Sequence, residues 1–232
     1  MQIPRAVAVA LSTIVLLIIG LSVYAVQQDR QITLVTPAPT VALPTATQET
    51  PTPIGYATAE ILANATQFIG RRAGYSLLLP AGWAIVDPAE YSRYLERIKR
   101  TVTVPDLQDK FDLLAYDAQN GENSTSMAIA VVERNGLGLN GYMTAIIEVL
   151  RPIGDIEAQI DHTLRADGLP AGIISYTTPG EQVGRNQERI FTQQVVFIDN
   201  SGDNFIIITF AGAAEQVDQT QWRAMLQSMT FE

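Results

Sequence analysis

The chain has 232 residues, 15 of them basic and 24 acidic, with no cysteine and one histidine, His162. Its formal net charge of −9 argues against a nucleic-acid-binding surface, because neutralising phosphates requires a basic face. The same charge disfavours adsorption to anionic lipid. The lack of cysteine excludes disulfides, thiolate metal sites, cysteine nucleophiles and lipoprotein attachment.

An uncharged apolar run occupies residues 6–26. At 1.5 Å per helical residue, its 21 residues would span about the 30 Å hydrocarbon core of a bilayer. Arg5 precedes the run, so the positive-inside rule favours a cytoplasmic N-terminus and a C-terminal domain outside. We therefore predict a single transmembrane helix, within residues 1–30, that anchors the chain in the lipid bilayer of the plasma membrane. The alternatives are a buried core helix and a signal peptide cleaved after Ala25, which would make the protein secreted.

The next segment, residues 31–67, is dominated by threonine, proline and alanine. Proline removes backbone donors and biases its neighbours to extended geometry, and few large apolar side chains remain to form a core. This composition predicts a disordered stalk, with roughly 3 Å per residue where it is polyproline-like. Such a stalk would hold the following domain away from the membrane.

Residues 68–232 are predicted to form one globular domain, long enough for one sizeable core. Asp87 as N-cap, Pro88 at the first helical position and Glu90 at the capping-box position predict the start of a helix. Two further helices are predicted over residues 140–150, capped by Asn140, and over residues 215–228. Strands are predicted over residues 75–80, 84–86, 111–116, 127–132, 156–164, 171–177, 191–198 and 205–210.

Short polar turns join most neighbouring strands, as between Asp199 and Asn204. Strands connected in this way pair antiparallel, and the helices would be inserted at three points between them. The expected fold class is therefore α+β, built on one mainly antiparallel sheet.

A glycine-rich segment fits the spacing of the dinucleotide-binding fingerprint. Gly136, Gly138 and Gly141 follow a predicted strand and precede a predicted helix, and Asp161 lies at a suitable distance for a ribose contact. However, three residues separate the strand from the first glycine, and no second βαβ unit follows. We therefore expect a glycine-containing loop before a capped helix.

A second segment resembles the start of a calcium-binding loop. Asp199, Ser201 and Asp203 match its first ligands. The sixth position is Asn204 instead of glycine, and the twelfth is Phe210 instead of the bidentate glutamate. We therefore expect a hairpin turn here.

The single histidine is expected to be structural. His162 continues the alternation of Ile156, Ala158 and Ile160, which would place it on the more apolar face of a strand. A lone histidine without a nucleophile motif is most often a satisfied structural side chain.

The acidic residues Asp106, Asp109 and Asp112 are spaced like a solvated helix face or loop, so we do not expect them to bind a metal. Trp83 and Trp222 are expected in the core, because large aromatic side chains contribute most to packing. The sequence thus predicts no catalytic residue, no cofactor and no metal ligand.

Three short motifs carry a resemblance to a known family. Residues 75–83 (Tyr-Ser-Leu-Leu-Leu-Pro-Ala-Gly-Trp) would form an opening hairpin, residues 168–172 (Gly-Leu-Pro-Ala-Gly) precede a strand, and residues 225–231 lead the last helix into a short terminal strand. In these motifs the chain resembles the PsbP/DcrB-like superfamily over residues 75–231. The resemblance implies an α-β-α sandwich around an antiparallel sheet, in a family of mostly non-catalytic accessory, binding or assembly factors. It implies no functional residue, because the docking segment of PsbP has no counterpart in the stalk.

The leading hypothesis is a membrane-tethered, extracytoplasmic and non-catalytic domain that binds a protein, peptide or envelope component. An exposed apolar or aromatic concavity would favour it. One alternative is an extracytoplasmic hydrolase, which requires two carboxyl groups that converge in a cleft with a raised pKa. The other is a structural envelope protein with no specific ligand.

Overall fold

A computed structural model gives the structure of the protein over residues 56–87, 110–119, 125–153, 155–165, 168–179 and 189–232. The predicted membrane segment, most of the predicted stalk and the helix predicted after Asp87 lie outside these ranges, as do Asp106 and Asp109. Among the helices inside them, none combines the length and the hydropathy needed to cross a membrane.

Three α-helices and ten β-strands lie within the described ranges. The helices are α1 (Tyr56–Ile61), α2 (Leu139–Leu150) and α3 (Gln219–Gln227), and a 3₁₀ turn (Arg151–Ile153) follows α2. The strands are β1 (Thr66–Ile69), β2 (Tyr75–Leu79), β3 (Trp83–Ile85), β4 (Phe111–Asp117), β5 (Ser126–Glu133), β6 (Ile156–Asp161), β7 (Ala171–Pro179), β8 (Arg189–Ile198), β9 (Asn204–Ala213) and β10 (Thr230–Phe231).

The strands form two sheets, and every pair of neighbours is antiparallel. The smaller sheet has the order β1-β2-β10, and the larger has the order β3-β4-β5-β9-β8-β7-β6. The predicted α+β class with antiparallel pairing is confirmed, whereas the prediction of a single sheet is wrong. The larger sheet contains seven of the strands, so it forms the centre of the domain.

The predicted opening hairpin is also wrong, because β2 and β3 belong to different sheets. Pro80 ends β2 and has no backbone N–H for a ladder, and Gly82 has a φ of +91°, a conformation that favours glycine. In this turn the Trp83 N–H donates to the Pro80 carbonyl over 3.2 Å. The chain therefore passes from the small sheet to the large one within three residues.

Helices pack on both faces of the large sheet. α2 forms one apolar cluster with the sheet, to which Tyr142, Ile146 and Val196 belong. α3 and β2 lie on the opposite face and share a second cluster with residues such as Val195. Adjacent residues of β8 thus pack against opposite layers, because successive side chains of a strand point to opposite faces of the sheet. The result is a sandwich with the small sheet beside α3.

Two helices begin at other residues than the sequence predicted. α2 begins at Leu139 with Gly138 as its N-cap, not Asn140, because the buried Leu139 is already helical. α3 begins at Gln219 and not near residue 215. The Asp218 carboxylate accepts from the backbone N–H groups two and three residues later and so caps α3.

Regular structure is already present before Phe68, the residue at which the sequence predicted the domain to begin. α1 contacts α3, with Ile61 and Leu62 half-buried, and β1 pairs with β2 from Thr66 onwards. A six-residue helix carries too few apolar residues to stand out beside a threonine- and proline-rich segment.

Candidate functional site

The glycine-rich segment forms a turn and the first turn of α2, as predicted. Asn135 and Gly136 have φ angles of 49° and 79°, and the Leu137 N–H donates to the Arg134 carbonyl over 2.9 Å. β5, before this segment, and β6, after α2, are both paired antiparallel to their neighbours. The parallel βαβ unit on which dinucleotide binding depends is therefore not formed here by the described strands.

The segment that resembles a calcium loop is the turn between β8 and β9. The buried Asp199 carboxylate accepts from the Ser201 hydroxyl and the Asn204 side-chain amide, each over 2.8 Å. It also accepts from the backbone N–H groups of Asp203 and Asn204, over 3.0 and 3.1 Å. These four donors occupy the oxygens that a cation would need. Within the described ranges, no group of three His, Cys, Asp or Glu side chains could hold a metal ion.

The turn makes the stability of the domain depend on the ionisation of Asp199. Burial opposes that ionisation, but the hydrogen bonds from Asn204, Ser201 and Asp203 outweigh it and hold the pKa of Asp199 below its ordinary value of 3.8. The carboxylate therefore contributes stability above pH 3.8, and this contribution is lost as the pH falls through the lower folded-state pKa.

Asp199→Asn should destabilise the full chain by about 1–2 kcal/mol at neutral pH, since it replaces a charged acceptor of several hydrogen bonds. Urea unfolding from pH 7 to pH 3 should show the difference from wild type shrinking below pH 3.8. Asp203→Asn is the matched control, because the Asp203 side chain is exposed on the same turn. A difference that stays constant with pH would contradict this account.

The predicted place of His162 is wrong. β6 ends at Asp161, because the Asp161 carboxylate accepts from both the N–H and the hydroxyl of Thr163, each over 2.6 Å. His162 lies beyond this end, exposed, with Nδ1 at 3.3 Å from the Gly168 carbonyl oxygen. It therefore lies outside β6 and not on an apolar face of the strand.

The prediction that Asp112 is solvated is also wrong, because its side chain is only 1% exposed. The pairing of β4 with β5 shifts between Phe111 and Leu113, which makes Asp112 the extra residue of a β-bulge. Its Oδ2 accepts from the Tyr75 hydroxyl and the Arg71 N–H, each over 3.2 Å. Its Oδ1 lies 3.6 Å from Nε of Arg72, a contact between charges. These contacts join β2 and the turn before it to the large sheet.

The two tryptophans differ in burial. Trp222 of α3 is fully buried in the core, and its ring stacks on Phe210 at 4.8 Å and on Phe191 at 5.9 Å between centroids. Trp83 is half-buried at the margin of the same cluster, and its Nε1 donates to Oε1 of Gln221 over 3.3 Å. Both tryptophans therefore contribute to packing. The predicted core position is confirmed for Trp222, whereas Trp83 lies at the margin of the core.

Among the described strands, β6 lies at one edge of the large sheet, and its outer side is the candidate site for a ligand. All six residues of β6 pair with β7 without a shift in register, and no described strand pairs with its other side. Residues 157–160 are all exposed. Natural edge strands are usually protected by charged side chains, especially lysine, or by proline, a bulge or short length. β6 carries the acids Glu157 and Asp161 but no lysine, proline or bulge, and it is longer than the edge strands β3 and β1, which have three and four residues.

The two faces of β6 differ in chemistry. Three apolar residues face the α2 side, since their partners on β7 lie under α2; they are Ile156, Ala158 and Ile160. The residues that alternate with them are polar or acidic; they are Glu157, Gln159 and Asp161. Asp155 precedes the strand on this acidic face. This alternation agrees with the sequence pattern.

Arg223 of α3 holds the end of β6 through hydrogen bonds, which we call the clasp. Arg223 donates to the Thr163 hydroxyl over 2.7 Å and to Asp161 Oδ2 over 3.4 Å. Burial opposes ionisation of Asp161, but the hydrogen bonds from Thr163 and the Arg223 charge keep its pKa below the ordinary value. Asp155 and Glu157 are exposed, and no described basic side chain pairs with them. Among the described residues, the acidity of this face is therefore uncompensated at the start of β6.

No protein-family model matches the chain, and neither does any curated protein. Among solved structures, the Saccharomyces cerevisiae Ran-binding protein Mog1p is similar with a TM-score of 0.44 and 12% identity, over 72% of this chain and 95% of Mog1p. A mutant of Mog1 gives the same TM-score and identity, over 96% of that chain. A Bacteroides thetaiotaomicron protein gives a TM-score of 0.44 at 9% identity, and only 48% of its length is covered. At these values the PsbP/DcrB-like resemblance stays a prediction.

Proposed function

We propose that this protein is a membrane-tethered, extracytoplasmic domain that binds a protein or peptide partner and catalyses no reaction. The observation that carries the proposal is the order of segments along the chain. An uncharged run of bilayer length, residues 6–26, is followed by a threonine- and proline-rich segment and then by a folded domain from Tyr56 onwards. A proline-rich spacer is extended and semi-rigid, so it would hold the domain away from the membrane, where a partner could reach it.

The chemistry of the acidic residues favours binding over carboxylate-dependent hydrolysis. A general acid of a hydrolase needs a raised pKa. The pKa of Asp199 is instead lowered by hydrogen bonds within its own turn, and that of Asp161 by hydrogen bonds from Thr163 and by the charge of Arg223. Asp112 is buried beneath Tyr75 and the turn at Arg71, so its carboxylate is closed to a substrate. These three acids therefore support the structure, which favours binding over hydrolysis.

The absence of native cysteine allows a clean test of topology. Single cysteines are introduced as Gln2→Cys, before the apolar run, and as Gln216→Cys, at an exposed position of the domain. A membrane-impermeant maleimide should label the Gln216→Cys chain in intact cells and the Gln2→Cys chain only after lysis. The mass of the purified protein should include residues 1–25, as expected for a retained anchor.

Two results would refute the proposal. Labelling of Gln216→Cys only after lysis would place the domain on the cytoplasmic side. A mature N-terminus after Ala25, with the protein in the medium, would show a secreted domain and no tether.

A further inference from the structure

We propose that the free edge of β6 binds an extended peptide segment in which apolar residues alternate with lysine or arginine, and that this segment joins the large sheet as an eighth strand. This inference rests on the proposed function, for which it names the class of partner.

The backbone of β6 is prepared for strand addition. In an antiparallel pair, every second residue directs its N–H and C=O groups away from the partner strand. β6 therefore presents such groups along its free side, over six residues that keep one register with β7. Adding a peptide strand to an exposed edge is a common recognition mode, in which backbone hydrogen bonds supply affinity and alternate side chains supply specificity.

The side chains of β6 define what the added strand must carry. Neighbouring strands match their faces, so alternate residues of the peptide would lie beside Ile160 and its apolar neighbours on the α2 side. Ile160 is 38% exposed, so an apolar neighbour would cover surface that now contacts water. The remaining residues of the peptide would lie on the face of Asp155 and Glu157, where opposite charge is favoured. An alternation of apolar and basic residues satisfies both faces at once.

The same pattern argues against a second copy of β6 as the occupant. If two copies paired with matching faces, Asp155 and Glu157 of one would lie on the same face as the acids of the other, which is repulsive. A slip by one residue exchanges the faces and places the apolar side chains opposite the acids. Acidic peptides are disfavoured for the same reason, so the edge selects a basic partner.

The clasp at the end of β6 predicts where the basic residue matters most. Arg223 already compensates Asp161, whereas Glu157 has no basic partner among the described residues. A lysine or arginine of the peptide should therefore contribute most when it lies beside Glu157.

The test measures peptide binding to the full chain in nonionic detergent by fluorescence anisotropy. A peptide of alternating valine and lysine should bind at least about tenfold more tightly than a valine–glutamate alternation or a peptide with its valines and lysines in separate blocks. Glu157→Lys should weaken binding by about tenfold. The matched control is Glu133→Lys, an exposed glutamate at the end of β5, which β9, β8 and β7 separate from β6.

N-methylated peptides distinguish strand addition from simple charge attraction. One peptide is methylated at its valine amides and another at its lysine amides. An added strand pairs through one edge only, so one of the two should lose binding and the other should keep it. Equal binding by both, or equal weakening by Glu157→Lys and Glu133→Lys, would overturn the proposal.

Circular dichroism of each variant checks that the fold is intact, and Gln159→Lys on the same face replaces Glu157→Lys if that variant fails to fold. If peptide binding fails but cysteine labelling places the domain outside, the membrane-tethered topology is supported and the proposed class of partner is wrong. If the peptide binds but labelling places the domain inside, the peptide site on β6 is supported and the extracytoplasmic function is wrong.

Discussion

Replacing Trp222 with alanine should lower the free energy of unfolding by about 3–5 kcal/mol, since it removes a large buried side chain and leaves a cavity. Trp222 is fully buried, and its indole stacks on Phe210 of β9 and on Phe191 of β8. It is the largest fully buried side chain by which α3 is attached to the large sheet. Urea unfolding of the full chain, followed by circular dichroism, measures the loss.

Trp222→Phe separates packing from polarity at the same position. Nε1 of Trp222 is buried and has no hydrogen-bond partner among the described residues. Phenylalanine keeps an aromatic ring against Phe210 and removes this unsatisfied donor, so the variant should lose only about 1–2 kcal/mol. Trp83→Phe, at the half-buried tryptophan, is the control for a tryptophan of the same chain outside the stack. A loss below about 1 kcal/mol for Trp222→Ala would contradict the proposed attachment of α3.

The positions of the central strands follow from local sequence patterns. β4, β5, β8 and β9 all coincide with predicted strands to within two or three residues, because alternation and apolar runs are properties of the strand itself. The sheet to which a strand belongs depends instead on distant parts of the chain. β10 has two residues and pairs with Ser76 and Tyr75 of β2, more than 150 positions earlier in the chain. No short-range pattern predicts that pairing, so the second sheet could not be foreseen.

The same distinction applies to the candidate binding edge. The alternation of Ile156, Ala158 and Ile160 is visible in the sequence, but the edge position of β6 depends on the order of all seven strands. The clasp between Asp161 and Arg223 joins residues 62 positions apart and could not be inferred from either neighbourhood. The sequence alone shows an alternating strand without lysine or proline. Only the order of the strands shows that this strand lies at the edge of the sheet.

Asp112 shows how tertiary contacts can reverse an interpretation based on composition. An aspartate beside other acids in the sequence predicts a solvated face. The β-bulge at Asp112 instead turns its carboxylate toward Tyr75 and the turn before β2, where a hydroxyl, a backbone N–H and a guanidinium compensate it. A bulge is defined by two strands together, so the sequence of β4 alone does not reveal it.

Asp112→Ala is expected to lower the free energy of unfolding by about 2–4 kcal/mol. The substitution leaves the buried Tyr75 hydroxyl and the Arg71 N–H without their acceptor and removes the charge partner of Arg72. Arg72→Ala should cost less than about 1 kcal/mol, because its side chain is 42% exposed and water already screens the ion pair. Urea unfolding of both variants should therefore rank the buried acceptor well above the ion pair.

A double-mutant cycle with Tyr75→Phe isolates the bond between the hydroxyl and the carboxylate. Once Asp112 is alanine, removing the Tyr75 hydroxyl should cost less than it does in the wild type, or should even stabilise the chain. The expected coupling energy is about 1–2 kcal/mol. Strictly additive losses would show that Asp112 and Tyr75 act independently, which their distance of 3.2 Å argues against.

Alkaline pH provides an independent check on the same pair. Burial, followed by the Asp112 charge and hydrogen bond, raises the pKa of Tyr75 far above its ordinary value of 10.0. Its hydroxyl is therefore a donor throughout the neutral range, and the stability that it contributes is present below pH 10.0. Above this pH the unfolded chain loses the Tyr75 proton while the folded chain retains it, so the wild type should lose stability relative to Tyr75→Phe. A difference that is the same at pH 8 and at pH 11 would show that Tyr75 ionises equally in both states, as an exposed tyrosine would.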